Sequence, residues 1–552
     1  MKKTCKNCQN IFGIEKSDLA FYEKISPSFE GRKYLIPPPT LCQNCRQQRK
    51  LAWRNELKFY KRPCDFTKKN IISIYAPDTE FTVYSPEIWW SDKWDALEYG
   101  QNFDFNKTFF EQFAELLKKV PRPSLFSEQS ENCEYTHNTV FSKNCYLSSC
   151  CRHGEDCLYN YMVASCKNVA DCLSLFNCEL MYFCINCKNC YSGIYLQNCE
   201  GCIESAFCFD CRSVKNCFGC VGLENKEYHV FNKKVSKEEF EKYRASLSSY
   251  QIFEKAKKKF PDFLLKFHHR FAKLVGTENC TGDHLYFSKN CIHCFDSENC
   301  EDLKYCNHAA NTKDSMDVFG LFMGGELQYE TSAAGGGINV QFAYFSWHNI
   351  DSQYINYCQS SKNIFGCIGL KHKKYCILNK QYKKEEYEKL MPRIIDHMTR
   401  TKEWGEFFPV TISPYAYNES MAVDYYPLTK EEVLNRGFRW KEEITKEYLK
   451  QNYEIPDDIK KVPEIITNEI LACTECLKNF RITVQELKFY QKMGIPIPRT
   501  CNECRHSHRM KLRNPRKLWK RTCQKCGKKI ETSYSPNRPE IIYCEECYIN
   551  RE

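Results

Sequence analysis

CKNVADCLSLFNCELMYFCINCKNC, residues 166–190, places a cysteine at every sixth position (Cys166, Cys172, Cys178, Cys184, Cys190), with Cys187 between the last two. A period of six fits neither the 3.6-residue turn of an α-helix nor the two-residue alternation of a plain strand. It fits a β-solenoid in which each side of a coil takes about one hexapeptide. The pattern extends beyond this stretch. Seventeen cysteines lie between Cys133 and Cys220, and all but Cys150 share one phase of a three-residue count. Asn or Asp precedes many of them (Asn144, Asp156, Asp171, Asn177, Asn189, Asn198, Asp210, Asn216), where turn-forming side chains mark corners. Small, buriable Cys then forms an inward ladder between stacked coils.

The block is duplicated. Glu131-Asn132-Cys133 and Phe141 to Cys145 recur as Glu278-Asn279-Cys280 and Phe287 to Cys291. NCFGCVGLENKEYHVFNKKVSKEEFEKY (residues 216–243) aligns without gaps on NIFGCIGLKHKKYCILNKQYKKEEYEKL (residues 363–390), an offset of 147. Two similar lobes are expected, each closed by a helix. Ser236 with Glu239 forms a capping box at the first of these. Helices are read at residues 105–120, 236–259 and 383–400, with another opening at Thr429. Residues 404–428, with Pro409, Pro414 and Pro427, read as an extended linker.

Both ends carry Cys-x-x-Cys pairs: Cys5/Cys8, Cys42/Cys45, Cys473/Cys476, Cys501/Cys504, Cys523/Cys526 and Cys544/Cys547. Two such pairs supply four soft thiolates in a tetrahedron, the closed geometry of structural Zn²⁺, so three Cys₄ zinc sites are expected. The ends are also copies of each other. Cys8 to Phe12 and Phe21-Tyr22 match Cys476 to Phe480 and Phe489-Tyr490, and Cys45 to Cys64 runs parallel to Cys504 to Cys523. Thr67, Ser85 and Ile88 stand where the C-terminal copy has Cys526, Cys544 and Cys547, so the second N-terminal ribbon is expected to be metal-free, with Cys64 a lone thiol. These ends resemble two known modules. Residues 473–505 are similar to the zinc-ribbon domain with a Phe-Tyr pair and a Cys-x₂-Cys-Arg close; residues 523–547 are similar to the Cys-x₂-Cys-x₁₇-Cys-x₂-Cys ribbon that often follows it. The whole layout resembles large cysteine-rich zinc-ribbon proteins of candidate-phylum bacteria. The resemblance implies fold and metal, and says little about activity.

With 552 residues the chain exceeds a single core, and 42% hydrophobic and 14% aromatic residues supply several. The expected fold is multidomain and mainly β: terminal zinc ribbons flanking a duplicated cysteine-ladder β-solenoid with intervening α-helices. The boundaries read as 1–63, N-terminal zinc ribbon with a basic helix; 64–125, degenerate ribbon and amphipathic helix; and 126–235, first solenoid. They continue as 236–275, helical linker; 276–382, second solenoid; 383–470, helices and linker; 471–522 and 523–552, two zinc ribbons. No apolar run approaches the ~20 residues of a membrane span and the N-terminus lacks a signal peptide, so a soluble cytoplasmic protein with reduced thiols and no membrane contact is expected.

The net charge of +11 is matched by one stretch. Residues 505–529 contain eleven Lys or Arg and no acid. Arg46, Lys50, Arg54 and Lys58 step by four, as do Arg505, Arg509, Arg513, Lys517 and Arg521, with Lys520 and Trp519 alongside. Cationic stripes interleaved with rings suit a phosphate backbone, so nucleic acid or a ribonucleoprotein is the expected partner. The alternative is a zinc-stabilised protein-interaction scaffold, favoured if the chain's own acids neutralise the stripe. An acyltransferase-like or thiol-redox enzyme ranks below both, and no catalytic residue is assigned. Cys184, Cys187 and Cys190 open like an iron–sulfur run, but Ile194 stands where its fourth cysteine belongs. Further metal is possible at solenoid cysteines such as Cys199/Cys202, Cys208/Cys211 and Cys217/Cys220. The Gly335-Gly336-Gly337 loop, flanked by Glu326, Glu330 and His348, has the look of a site lip.

Overall fold

The structure is a computed structural model that describes residues 1–321, 323–442 and 447–550. Its centre is a pair of β-solenoids. In the first, strands stack in parallel with a constant step of twelve residues: Glu155 pairs with Lys167, Lys167 with Glu179, and Glu179 with Tyr191. From Gln129 to Phe231 every third residue has a φ between 45° and 63°. Each coil is therefore a square with three residues per side and a left-handed corner at each turn. The expected solenoid is present, but its sides are half the expected length. Two three-residue sides make the apparent hexapeptide, because Val169, Leu175 and Met181 take the inward positions between Cys166, Cys172, Cys178 and Cys184.

This geometry explains the composition. A left-handed corner costs an ordinary residue about 1–2 kcal/mol, and Asn and Asp tolerate it best. Their side chains also stack down the outer edges, as Asn144 Nδ2 donates to Asp156 Oδ1 at 3.0 Å. The bore enclosed by three-residue sides admits only small or slender groups. Thiols suit it because sulfur both donates and accepts: Cys172 donates to the carbonyls of Ala170 (3.2 Å) and Met181 (3.6 Å), and accepts from the Cys184 N–H at 3.4 Å. Large rings lie outside, where Phe183, Tyr195 and Phe207 stack along one face beneath the helix Tyr250–Leu264.

The second solenoid repeats the plan, with Ile338 over Ile350 over Lys362 over Lys374 and one longer step between Met316 and Tyr329. The solenoids lie side by side in opposite directions. Phe126, at the start of the first, stacks on Trp347 (4.6 Å between ring centres) late in the second. At the other end Lys188 bonds Glu298 at 2.7 Å, and Asn186 meets His284 at 3.3 Å.

Each solenoid begins beside a ribbon and ends in a hairpin and helix. The N-terminal copy that lacks a cysteine quartet pairs Val83–Tyr84 with Arg122–Pro123 ahead of the first solenoid, and the last ribbon pairs Ile541–Tyr543 with His268–Arg270 ahead of the second. The closing helices are Lys237–Ser246 and Lys384–Arg400. The helix read at 236–259 is two: the first ends at Ser246 and Ser249 caps a second, Tyr250–Leu264. The helix read from 105 begins at Phe109, where Thr108 and Glu111 form a capping box. The expected linker at 404–428 is built into the core, with Phe407, Phe408, Tyr415 and Tyr417 buried. Its short 3₁₀ turns and the helix Ala422–Tyr425 replace an extended run because those rings pack on Trp53 and other core side chains. Among the described residues no helix is long and apolar enough to cross a membrane.

Candidate metal centres and an inter-lobe cavity

Three groups of four cysteines assemble as the spacing predicts: Cys5, Cys8, Cys42 and Cys45; Cys473, Cys476, Cys501 and Cys504; Cys523, Cys526, Cys544 and Cys547. Within each, all sulfurs lie within 4.8 Å of one another. Contacts across the knuckles are 3.7 Å for Cys8–Cys42, 3.7 Å for Cys473–Cys504, 3.6 Å for Cys476–Cys501 and 3.7 Å for Cys526–Cys544. Four sulfurs each ~2.3 Å from a central ion stand about 3.8 Å apart, so the residues fit a tetrahedrally bound metal. The local backbone prepares each site. Gln9, Leu477 and Gly527, just after the first knuckle, are left-handed, and Cys42, Cys501 and Cys544 are each the N-cap of a helix, where the dipole favours a thiolate. The copy with the lone Cys64 keeps the turn at Lys68, and the Cys64 sulfur accepts from the N–H groups of Thr67 (3.5 Å) and Ser85 (3.3 Å).

The basic residues occupy quite different surroundings from the exposed stripe read in the sequence. Of the first stripe only Arg46 and Lys50 lie on the helix Gln43–Leu51, and both are buried together with Arg54. Arg46 Nε donates to Asp317 Oδ2 at 2.8 Å, Lys50 Nζ meets Glu330 Oε2 at 3.2 Å, and Arg54 pairs with Glu56. At the other end Arg505 and Arg509, on the helix Asn502–Lys511, clamp the two oxygens of Asp171, each at 2.7 Å. Arg513 and Arg516 close on Asp296, at 2.8 and 3.1 Å. Burial opposes it, yet Arg513, His308 and Arg516 hold the Asp296 carboxyl well below the usual carboxylate range. The reason for this placement is pairing: Arg46, Lys50, Arg505, Arg509, Arg513 and Arg516 face carboxylates on solenoid corners and Arg54 faces Glu56, so burial costs less than for a lone charge. Trp53 is core, packed on Tyr344 and Phe408. Lys58 bonds Glu503 at 2.7 Å. Lys517 and Lys520 remain exposed near Trp519 and Arg521, as do Lys525, Lys528 and Lys529.

The docking is crossed. The N-terminal ribbon precedes the first solenoid but its arginines sit on the second, and the C-terminal ribbon follows the second but sits on the first. Sequence reading took Asp171 for a simple corner and passed over Asp296 and Asp317; no local signal marks them as seats for cations.

Between the solenoids lies a cavity of about 480 Å³. Its walls include Phe141, Met162, Phe176, Trp347, Arg152, His284, His308, His348 and the out-of-phase Cys150. Gly335 of the glycine loop does reach its lip, whereas Glu330 is turned away under Arg49 and Lys50. Gly336 is required there: a Cβ would lie 2.3 Å from His348 Nδ1, and its φ is +66°. Cys150 lies 3.3 Å from Asn138 Nδ2 and 3.5 Å from Glu56, and burial with the nearby Glu56 charge pushes its thiol well up, away from the reactive thiolate. Cys184, Cys187 and Cys190 are ordinary rungs of the ladder, each donating to backbone carbonyls.

No protein-family model matches the chain, nor does any curated protein sequence. Among solved structures it is similar at 10% identity to a proposed acetyltransferase from Desulfovibrio desulfuricans G20, over 47% of this chain and 68% of that one, with a TM-score of 0.10.

Proposed function

We propose that this chain is a zinc-stabilised binding scaffold whose two solenoids hold a ligand in the cavity between them. The observation that carries the reading is the fate of the cations. Arg46, Lys50, Arg505 and Arg509 are spent inside the molecule, fastening each ribbon to a solenoid. Zinc is the ion of choice for four thiolates in a closed tetrahedron, where it supplies folding energy and no open position for chemistry. The ribbons then act as clamps that fix the spacing of the lobes, and a cavity of about 480 Å³ falls in the ~300–1,000 Å³ range of small-molecule sites. Apolar walls at Phe141, Met162 and Phe176 with Arg152 among them suit an apolar, ring-bearing molecule with an anionic group. An anilinonaphthalene sulfonate dye, which has that chemistry, is expected to bind the native chain at one site. Ala164→Trp, which fills the cavity wall, should abolish binding, and Arg152→Ala should weaken it about tenfold, the worth of one hydrogen bond to a charged group. Equal binding by all three proteins would remove the cavity from the reading.

The exposed Lys517, Lys520, Lys525, Lys528 and Lys529 support a second reading, in which the last ribbon binds nucleic acid. Affinity for mixed RNA and DNA should then fall steeply with salt, with a slope that flattens when these five become Ala and stays unchanged in Arg46→Ala. Absence of binding at low salt leaves the scaffold alone.

A further inference from the structure

We propose that the bore of the first solenoid holds a fourth metal site, a three-thiolate site for a cuprous ion made by Cys145, Cys151 and Cys157. Their sulfurs lie within 4.8 Å of one another and all three residues are buried; this is the one group of three or more cysteines in either bore, among the described residues, that meets so closely. Cys145 and Cys151 are 3.9 Å apart, and three sulfurs each ~2.3 Å from one ion stand about 4 Å apart.

Proximity alone is a weak argument in a ladder full of thiols, and a second observation singles this coil out. A ladder cysteine normally donates its S–H to the carbonyl two residues back. Cys145 does so to Lys143 (3.5 Å), Cys157 to Glu155 (3.6 Å), Cys187 to Ile185 (3.3 Å) and Cys358 to Asn356 (3.5 Å). Among the described ladder cysteines Cys151 is the exception. Its sulfur is turned from the Ser149 carbonyl towards Cys145 and the Ser142 hydroxyl, which donates to it at 3.7 Å. The turn is possible because the next inward residue is Gly154, where a Cβ would stand 2.3 Å from Cys151 Sγ and 3.1 Å from Cys157 Sγ. Gly154 does not have the positive φ that would demand glycine for backbone reasons. The missing side chain is therefore space for sulfur, not for the main chain. Where side chains fill the bore, as around Cys187, Cys190, Cys199 and Cys202, every sulfur is engaged by carbonyls and no such trio forms.

Three soft donors in a dry bore select a soft, singly charged ion. Closed zinc sites take four protein ligands, and the bore offers three thiols here. Binding exchanges thiol protons for the ion, with no change of oxidation state. All three cysteines are buried, so copper is best supplied while the chain folds.

The test uses the full chain produced with added copper and purified without oxygen, with copper and zinc counted per chain and the copper neighbours read by X-ray absorption. One copper with three sulfur neighbours is expected, beside the ribbon zinc. Cys151→Ser should lose the copper and leave the zinc count unchanged. Gly154→Ala is the sharper variant: it keeps all three thiols, returns Cys151 to its own carbonyl, and should lose at least nine-tenths of the copper with the thermal midpoint kept. Copper retained in both variants, or zinc found in the bore instead, overturns the proposal.

Discussion

Replacing Asp171 by Asn is expected to lower stability by about 3–5 kcal/mol, among the largest effects of any single isosteric change in this chain, because it leaves two buried guanidinium groups facing a neutral amide. Asp171, Arg505 and Arg509 are all at least 97% buried, and the carboxylate serves Arg505 through one oxygen and Arg509 through the other. Glu486 lies 3.7 Å from Arg505 and is a poor substitute, since burial pushes its carboxyl up against the pull of that same arginine. The matching seat at the other end should be more forgiving. There Arg46 draws on Asp317 at 2.8 Å and on Glu330 at 3.6 Å, so Asp317→Asn should cost less than Asp171→Asn. Denaturant midpoints of the two variants measure the difference, and hydrogen exchange in the helix Asn502–Lys511 locates it. An Asp171→Asn protein within 1 kcal/mol of the parent would mean that the clamp carries no net stability.

The second large effect is expected from Cys501→Ser. Cys501 is both a member of its cysteine quartet, a ligand in the proposed zinc site, and the N-cap of the helix that bears Arg505 and Arg509. Structural zinc contributes about 10–16 kcal/mol to isolated ribbon peptides, and a large part of that is lost when a fourth thiolate is removed. The variant should lose one zinc per chain and become open to proteolysis across residues 471–522. Its effect and that of Asp171→Asn should not add, because both release the same helix from the same corner. Additive losses would show that ribbon and clamp are independent. Cys64→Ser, in the metal-free copy, should leave the metal count untouched.

How much of this was open to sequence reading depends on where the deciding partner lies. The cysteine quartets were legible because tetrahedral thiolate sites impose short, fixed spacings, and all twelve terminal cysteines assemble into groups of four as read. The solenoid was legible from its three-residue phase. Its side length was misjudged because apolar Val169, Leu175 and Met181 hide the rungs between cysteines. The basic stripes carried no sign of burial, since Asp317 lies 271 positions from Arg46 and Asp171 lies 334 from Arg505. Charge counted along a chain says nothing about a counter-charge that only folding brings near. At 404–428 the prolines outweighed Trp404, Phe407, Phe408 and Tyr415, whose size alone argues for a core.

Crossed docking has a consequence in time. The ribosome finishes the N-terminal ribbon long before the seat for it exists: Asp317 follows Arg46 by 271 residues, which at ~5–20 residues per second is about 14–54 s. Through that interval Arg46, Arg49 and Lys50 stand on a finished helix with no carboxylate to meet them, and the first solenoid waits longer still for Arg505. The nascent chain thus carries two unmet halves in turn: its first cations wait for Asp317 and Glu330, and the corner at Asp171 waits for Arg505 and Arg509.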